Sequence, residues 1–513
     1  MKFADGIQDA SAEPDPRDAV PSGQHAHAIG TAREPEARPR RVLMICYLFP
    51  PAGGSAIPAV QRVIKFVRGM VGSRWKPLVL TLEPEYYESY IAREDAFLRD
   101  LPADTVVERT RRVTIFKTIL RATHRIRAAV RPPRAPQAPS GGGVAAPAAV
   151  SSGPSTPTTM TALKAALDNA VQTPDPHIGW LPHAYFRGRS LVRQSRIDCI
   201  YATGSPWSAL LVGALLKRST GLPLIADFRD PWVTNPYRAH FPPWRKRIEH
   251  WLEQYVVRTA DLVIANTCGL RDEFRNRYSG SSAPRFEAIY NSVDRSVVSP
   301  SGASRSTRRV RLVHAGFLYG PRDPLTFLRA VAKRRKTLMP GAAEDLVVDL
   351  VGAVQLEYSI HEQLSELGIA DVVTVHGPLP HAQCEAMLKD ADAFLLLQPG
   401  TKTQLPSKLF EYVTFGKPIL TLGEPGGETY RFASEVLQSL AADCNDEAAI
   451  VTSIDQLVND VRSGNAIDAP AWQRALSRYS AAAVNEQFLE SLDWVASGGK
   501  RQHARAADLG LRS

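Results

Sequence analysis

The second half of the chain alternates short apolar runs with helix-competent stretches, and this alternation restricts the fold more than any single motif. The runs are VRLVHAG (310–316), DLVVDLVG (345–352), DVVTVHG (371–377), AFLLLQ (393–398) and PILTLG (418–423). Runs apolar on both faces suit strands covered on both sides, and strands separated by helical stretches pair in parallel. The first half carries the same signature. VLMICYLFPP (42–51) reads as a buried strand that stops at two prolines, and a glycine turn then leads into Val60, Val63, Ile64, Val67 and Met70 at helical spacing. A strand over 75–82 completes the first unit, and DCIYA (198–202), a helix over 206–220, PLIADFRDPW (223–232), a charged helix over 244–259, DLVIAN (261–266) and IYNSVD (289–294) continue it. The fold class is therefore α/β, with two doubly wound Rossmann-like units. A ligand of such a pair lies in the crevice outside the carboxyl ends of the strands.

At 513 residues, 44% of them hydrophobic, the chain is long enough for two cores plus additional segments. Residues 1–40 are rich in Pro, Ala, acidic residues and His and read as a disordered extension without a signal pattern. The first domain spans 41–298 and contains a Pro, Ala and Ser rich insertion at about 132–160 that lacks the large apolar residues needed to order itself. A Ser, Gly and Arg rich linker at 299–309 precedes the second domain at 310–470. A terminal helix at 471–497 and a polar tail at 498–513 follow.

Sixty-two basic and fifty-two acidic residues give a formal charge of +10, which favours an anionic partner. Nucleic acid is disfavoured, because no surface interleaves aromatic and basic residues for base stacking. Five cysteines without C-x-x-C spacing indicate neither a disulfide framework nor a zinc site, and a reducing cytoplasm fits them best. No apolar run reaches the roughly 18 to 20 residues of a spanning helix, so any membrane role is peripheral. Residues 109–134 carry nine Arg or Lys and no acid, with Phe116, Ile119, Leu120, Ile126 and Val130 on one helical side. Such a helix can lie on anionic lipid, or pack its apolar side onto the domain and leave a solvated basic back.

Four clusters can carry chemistry. In LPSKLFEYVTFGKPILTL (405–422), Lys408 and Glu411 share a helix face, a cation beside helix N-terminal amides favours an anion, and the carboxylate can accept from a sugar diol. The same spacing also makes an ordinary exposed ion pair. Gly53, Gly54 and Ser55 sit where the first strand meets the first helix, so the amides of Gly54 and Ser55 can approach a phosphate. Gly316 and Arg322 occupy the equivalent turn of the second half, where the guanidinium can bond a diphosphate at two points or pair with Asp323. DFRDPW places Asp227, Arg229, Asp230 and Trp232 at a strand exit, where charges face a cleft or an Asp and an Arg pair to fix the loop. His376 reads as a core histidine. Asp390 and Asp392 do not read as a metal motif, because Asp392 enters the strand that follows.

PSKLFEYVTFGKPIL resembles the donor-binding signature of family 4 of the retaining glycosyltransferases, which have the GT-B fold, two Rossmann-like domains facing a central cleft. The resemblance extends to the F-P-P-x-G-G opening and to the turn at 314–323, and so spans most of 41–428. It implies transfer of a sugar from a nucleoside-diphosphate sugar to an acceptor hydroxyl with retention, needing no cofactor and no active-site metal. The family's terminal helix crosses back to the first domain. The resemblance assigns Arg322 and Lys408 to the diphosphate and Asp230, with Asp227, to catalysis near the acceptor. Gly53, Gly54, Ser55, Gly316, Thr403, Ser407, Leu409 and Glu411 fall on the donor side, and Arg229 and Trp232 on the acceptor side. Thr403 stands where the family often has the first Glu of an E-x7-E pattern. The implied partners are a nucleotide-sugar donor, a lipid-linked or polysaccharide acceptor and an anionic membrane surface. Such a protein serves cell-envelope or exopolysaccharide synthesis, in the cytoplasm or at the inner membrane face. A nucleotide-sugar 2-epimerase of the same double-Rossmann plan, or a non-catalytic nucleotide-sugar-binding protein, would share these features.

Overall fold

A computed structural model of the chain describes residues 38–53, 57–89, 91–99, 101–113, 169–293, 309–337, 345–464 and 467–499. In the first half, β1 (Arg40–Ile45), β2 (Trp75–Leu82), β3 (Val106–Thr110), β4 (Cys199–Gly204), β5 (Leu224–Phe228), β6 (Leu262–Ala265) and β7 (Arg285–Ala288) form one parallel sheet. Its order is β3-β2-β1-β4-β5-β6-β7, with the chain reversing direction of growth between β1 and β4. The continuous apolar run of β1 serves two cores at once, because side chains alternate across a strand. Leu43 and Ile45 enter the core on one face of the sheet, and Val42 and Met44 enter the core on the other.

The second half repeats the plan with β8 (Val310–Ala315), β9 (Leu318–Tyr319), β10 (Leu346–Val351), β11 (Val354–Gln355), β12 (Val373–Gly377), β13 (Ala393–Gln398), β14 (Ile419–Gly423) and β15 (Ala441–Asp443). The main sheet runs β12-β10-β8-β13-β14-β15, all parallel, and β9 pairs with β11 beside it. Here Leu312 packs on one face and Val313 on the other.

Three details differ from the sequence reading. Residues 109 and 110 belong to β3 and not to a basic helix, while 114–131 lie outside the described residues. The strand that closes the first half is β7, not 289–294. The Ile289 amide still donates to Ala265 at 2.9 Å, but the carbonyls of Ile289 and Tyr290 accept from Arg62 and that of Ser292 from Lys65, so the stretch leaves the ladder there. The terminal segment is two helices, Ala469–Arg478 and Ala481–Ala496, broken where Ser480 caps the second by accepting from the Ala483 amide at 3.2 Å.

The second of these helices packs into the first half through Val484, Phe488, Leu492 and Val495, spaced along one helical face. Phe488 stacks on Phe66 at 4.0 Å and 13°. Burying each of these side chains stabilises the arrangement by about 1.5–3 kcal/mol. Val293, the last described residue of the first half, is bonded to the point where the chain returns from the second half. The Val293 amide donates to the Tyr479 carbonyl at 2.8 Å, and the Ala481 amide donates to the Val293 carbonyl at 3.1 Å. Among the described residues no helix is long and apolar enough to cross a membrane.

Candidate active site

The carboxyl ends of β8, β10 and β12 are stitched together by backbone bonds. The Gly316 amide donates to Val351 at 2.8 Å, Leu318 to Ala353 at 2.9 Å, and Gly352 to Gly377 at 2.8 Å. Gly352 has φ +138°, and a Cβ there would lie 2.0 Å from the Gly316 carbonyl oxygen, so the position admits only glycine. The loop then tightens into a 3-10 turn at Gly320–Arg322 that presents Arg322. Its Nη2 donates to Gln398 Oε1 at 3.0 Å, and Gln398 Nε2 donates to Thr401 Oγ1 at 2.7 Å, which fixes the amide's orientation. Arg322 Nε is buried without a protein acceptor. Asp323 is not its partner, because Asp323 Oδ1 caps the next helix through the Leu325 amide at 2.8 Å and accepts from the Tyr358 hydroxyl at 2.5 Å.

Beneath this loop His314 is buried, with Nδ1 bonded to the Leu395 carbonyl at 3.0 Å. Burial, with the nearby cations Arg322 and Lys408, pushes its imidazole down to about 4, against the pull of the Leu395 bond. The ring is therefore neutral, and a carbonyl partner requires the hydrogen on Nδ1. Nε2 is left as an acceptor without a partner, under Gly316, whose Cβ would come within 2.8 Å of it. Lys408 opens the helix Ser407–Val413 and donates to Glu411 Oε2 at 2.8 Å, both side chains being about two-fifths exposed. The i,i+3 ion pair is thus formed.

The first half closes on this group from the opposite side. Gln404 Nε2 donates to Asp230 Oδ1 at 2.9 Å, the Thr267 hydroxyl donates to the Thr403 carbonyl at 2.6 Å, and the rings of Tyr237 and Tyr319 lie 5.5 Å apart. Burial pushes the Asp230 carboxyl up, opposed by Arg229, the Gln404 bond and Arg322. Glu428 reaches back from the second half, accepting from the Gly269 amide at 2.7 Å and the Tyr290 hydroxyl at 3.0 Å. A hollow of about 630 Å³ lies beside the carboxyl ends of β10 and β12, lined by Gln355, Tyr358, His376 and Gly377 among others.

Several anticipated residues stand elsewhere. Asp227 does not face the cleft. It is fully buried, and its carboxylate takes two bonds from Arg62 (2.9 and 3.0 Å), one from the Tyr201 hydroxyl at 2.6 Å and one from Thr203 at 2.9 Å. These bonds hold its carboxyl below the usual carboxylate range in spite of burial. Trp232 is also buried, stacked on Trp207 at 5.1 Å and 6°, and belongs to the core rather than to an acceptor surface. The Leu409 side chain is in the core of the second half and its amide donates to Pro406, so it offers nothing to a donor. Arg229 is half-buried and donates through Nε to the Gly204 carbonyl at 3.3 Å. Gly53 donates its amide to Ala92 at 2.9 Å, and Gly54 and Ser55 lie outside the described residues. His376 is half-buried at the hollow, paired with Asp349 at 2.6 Å. Asp392 accepts from the Arg311 amide at 2.8 Å and Asp390 pairs with the Arg311 guanidinium at 2.6 Å.

Gln398, Gln404, Arg62 and Glu428 escaped the sequence reading. A polar residue closing the run AFLLLQ marks a carboxyl strand end, the signal that would have found Gln398. Arg62, set between Val60 and Val63, is a cation in an apolar stretch and calls for a buried carboxylate.

The family model described as a glycosyl transferase 4-like domain matches residues 117–292, and that described as glycosyl transferases group 1 matches 312–471. No curated protein matches the sequence. Among solved structures, sucrose-phosphate synthase from Thermosynechococcus elongatus is similar at 13% identity and a TM-score of 0.58, over 90% of this chain and 100% of that one. HepE of Anabaena in complex with UDP-glucose is similar at 15% identity and 0.54, over 88% and 99%. A glycosyltransferase from Rickettsia africae is similar at 10% identity and 0.52, over 89% and 98%.

Proposed function

The chain belongs to the GT-B glycosyltransferases, and from that premise we propose that it moves a sugar from a nucleoside-diphosphate sugar to an acceptor hydroxyl with retention at the anomeric carbon. The observation that supports this reading is the turn Gly320–Arg322, which holds a guanidinium against Gln398 at the carboxyl end of β13 with its Nε–H buried and unanswered. A diphosphate placed there meets the free Nε–H of Arg322 and the ammonium of Lys408, two fixed positive groups where charge develops on the leaving group. Lys408 exchanges Glu411 for a phosphate oxygen, and the released carboxylate accepts from the ribose diol. The nucleobase occupies the hollow beside Gly377. Asp230, approaching from the first half, orients the acceptor hydroxyl, which attacks on the face from which the diphosphate leaves. In this scheme two side-chain cations do the work that a metal ion does in other transferases.

The acceptor in this reading is a lipid-linked or polysaccharide hydroxyl of cell-envelope or exopolysaccharide synthesis, met in the cytoplasm or at the inner membrane face. The formal charge of +10 supports an anionic setting. HepE, solved with UDP-glucose, makes uridine nucleotides the first to try.

Thermal-shift measurements with UDP, GDP and ADP sugars test the donor, since a ligand of the folded state raises Tm. One nucleotide is expected to raise it, the shift is expected to vanish in Arg322→Ala, and transfer is expected to fall by about 10²–10³. No shift with any donor would refute the reading. NMR of the product's anomeric configuration tests retention separately.

A further inference from the structure

The helix Pro243–Thr259 is built inside out. Its Arg245, Glu249 and Glu253 are 4%, 2% and 0% exposed, whereas Trp244, Ile248 and Trp251 are 37%, 42% and 61% exposed. The inward charges are satisfied. Arg245 and Arg238 donate to Glu249 at 2.8 and 2.9 Å, and Arg277, the Tyr278 hydroxyl and the Val233 amide donate to Glu253 at 2.7, 2.6 and 3.0 Å. On the outer side, positions 244, 248, 251 and 255 recur at the spacing of one helical stripe. Arg247 and Arg258 are exposed on that stripe, while both acids of the helix are turned inward.

Toward the far end, Trp251 and Tyr255 stack at 6.0 Å and 16°, and with Lys217, Arg218 and Arg258 they line a hollow of about 500 Å³. Phe186, on the helix Leu181–Gln194, is 68% exposed. That helix and Pro243–Thr259 both pack against Trp207–Thr220. Large apolar side chains therefore rise from two neighbouring helices on this side of the sheet.

We propose that this stripe is a docking face for an anionic lipid bilayer, with the Trp251–Tyr255 hollow taking a lipid phosphate headgroup. Contiguous exposed apolar groups call for an apolar partner. Trp rings with Arg beside them match the boundary where hydrocarbon meets phosphate, and Ile248 has a use there that it lacks on a sugar. The exposed cations, the absence of outward acids on this helix and the net charge of +10 select anionic lipid. Because the helix connects β5 to β6, it starts at the carboxyl end of the sheet, and Trp244 is the member of the stripe nearest the cleft. A lipid-borne acceptor on that surface would reach the cleft from its rim. The face rests on the proposed acceptor for its purpose, and on its own residues for its chemistry.

Flotation of the full chain with phosphatidylcholine vesicles, with and without phosphatidylglycerol, tests it. The wild type is expected to float only with the anionic vesicles. The triple variant Trp244→Ser, Ile248→Ser, Trp251→Ser and the double variant Arg247→Glu, Arg258→Glu are each expected to partition about tenfold less or weaker, with Tm unchanged. Wild-type chain left in the pellet, or variants that float as well as it does, would overturn the proposal. So would a solution dimer that the triple variant dissociates. Flotation without any nucleotide-sugar shift would keep the face and remove the donor reading.

Discussion

Asp227 and Asp230 lie three residues apart at one strand exit and have opposite environments. Asp227 is locked to Arg62 inside the first half, and the same guanidinium holds the carbonyls of Ile289 and Tyr290. Asp227→Asn leaves that buried cation uncompensated, so we expect a loss of about 3–5 kcal/mol, read as a large fall in Tm. Asp230→Asn removes a charge whose burial is already unfavourable, so Tm should hold or rise slightly while transfer falls about 10²-fold or more. Similar Tm losses for both would place Asp230 in the scaffold and not at the reaction. His314 gives a pH signature. Its imidazole is depressed from 6.5 to about 4 in the folded chain, so the unfolded chain takes up the proton first as pH falls. The stability it contributes is complete above pH 6.5 and is lost progressively toward pH 4, roughly 3 kcal/mol in all. His314→Gln, which can still donate to Leu395, should lack this component. Equal Tm loss in wild type and variant between neutral pH and pH 4.5 would show that His314 does not titrate this way.

At the scale of elements, the donor-side loops depend on how closely β8 and β10 end against each other. Gly352→Ala would force a Cβ to within 2.0 Å of the Gly316 carbonyl at a φ of +138°. A cost of about 3 kcal/mol or more is expected, together with loss of any nucleotide-sugar thermal shift, because the turn carrying Arg322 is displaced. Retention of the shift would mean that the loop is not part of the site. The strands that were legible in the sequence are the long apolar ones, such as β8, β10 and β13, whose two buried faces leave no room for another pattern. β3, β7 and β15 were not legible. β3 and β7, carrying Glu108, Arg109, Arg285 and Glu287, are exposed or half-exposed edge strands, and β15 is only three residues long, so burial imposes little signature on them. Among site residues, the turns bearing Arg322 and Lys408 were legible because glycine and proline fix them locally. Asp227, Trp232 and Leu409 were misplaced because side chains at strand ends and on helices point to the cleft or the core according to packing partners far away in sequence. Arg62 and Trp207 are such partners.

At the scale of the molecule, the halves touch near the site through ring contacts such as Tyr237 on Tyr319 and through polar contacts. Glu428 is a buried one, binding the Gly269 amide and the Tyr290 hydroxyl. Glu428→Ala leaves both donors unanswered, and we expect a destabilisation of about 1–3 kcal/mol. A larger radius of gyration by small-angle scattering and a higher KM should accompany it, with each half still folded. An unchanged scattering profile would show that this contact does not govern closure. The meeting of Val293 with Tyr479 and Ala481 has a different consequence. Val293, where the described part of the first half ends, is thus bonded to the point at which the chain comes back from the second half, so a change in how the halves meet is felt at one knot of backbone. Replacing Val293 by Pro would remove one strand of that knot while leaving both sheets intact.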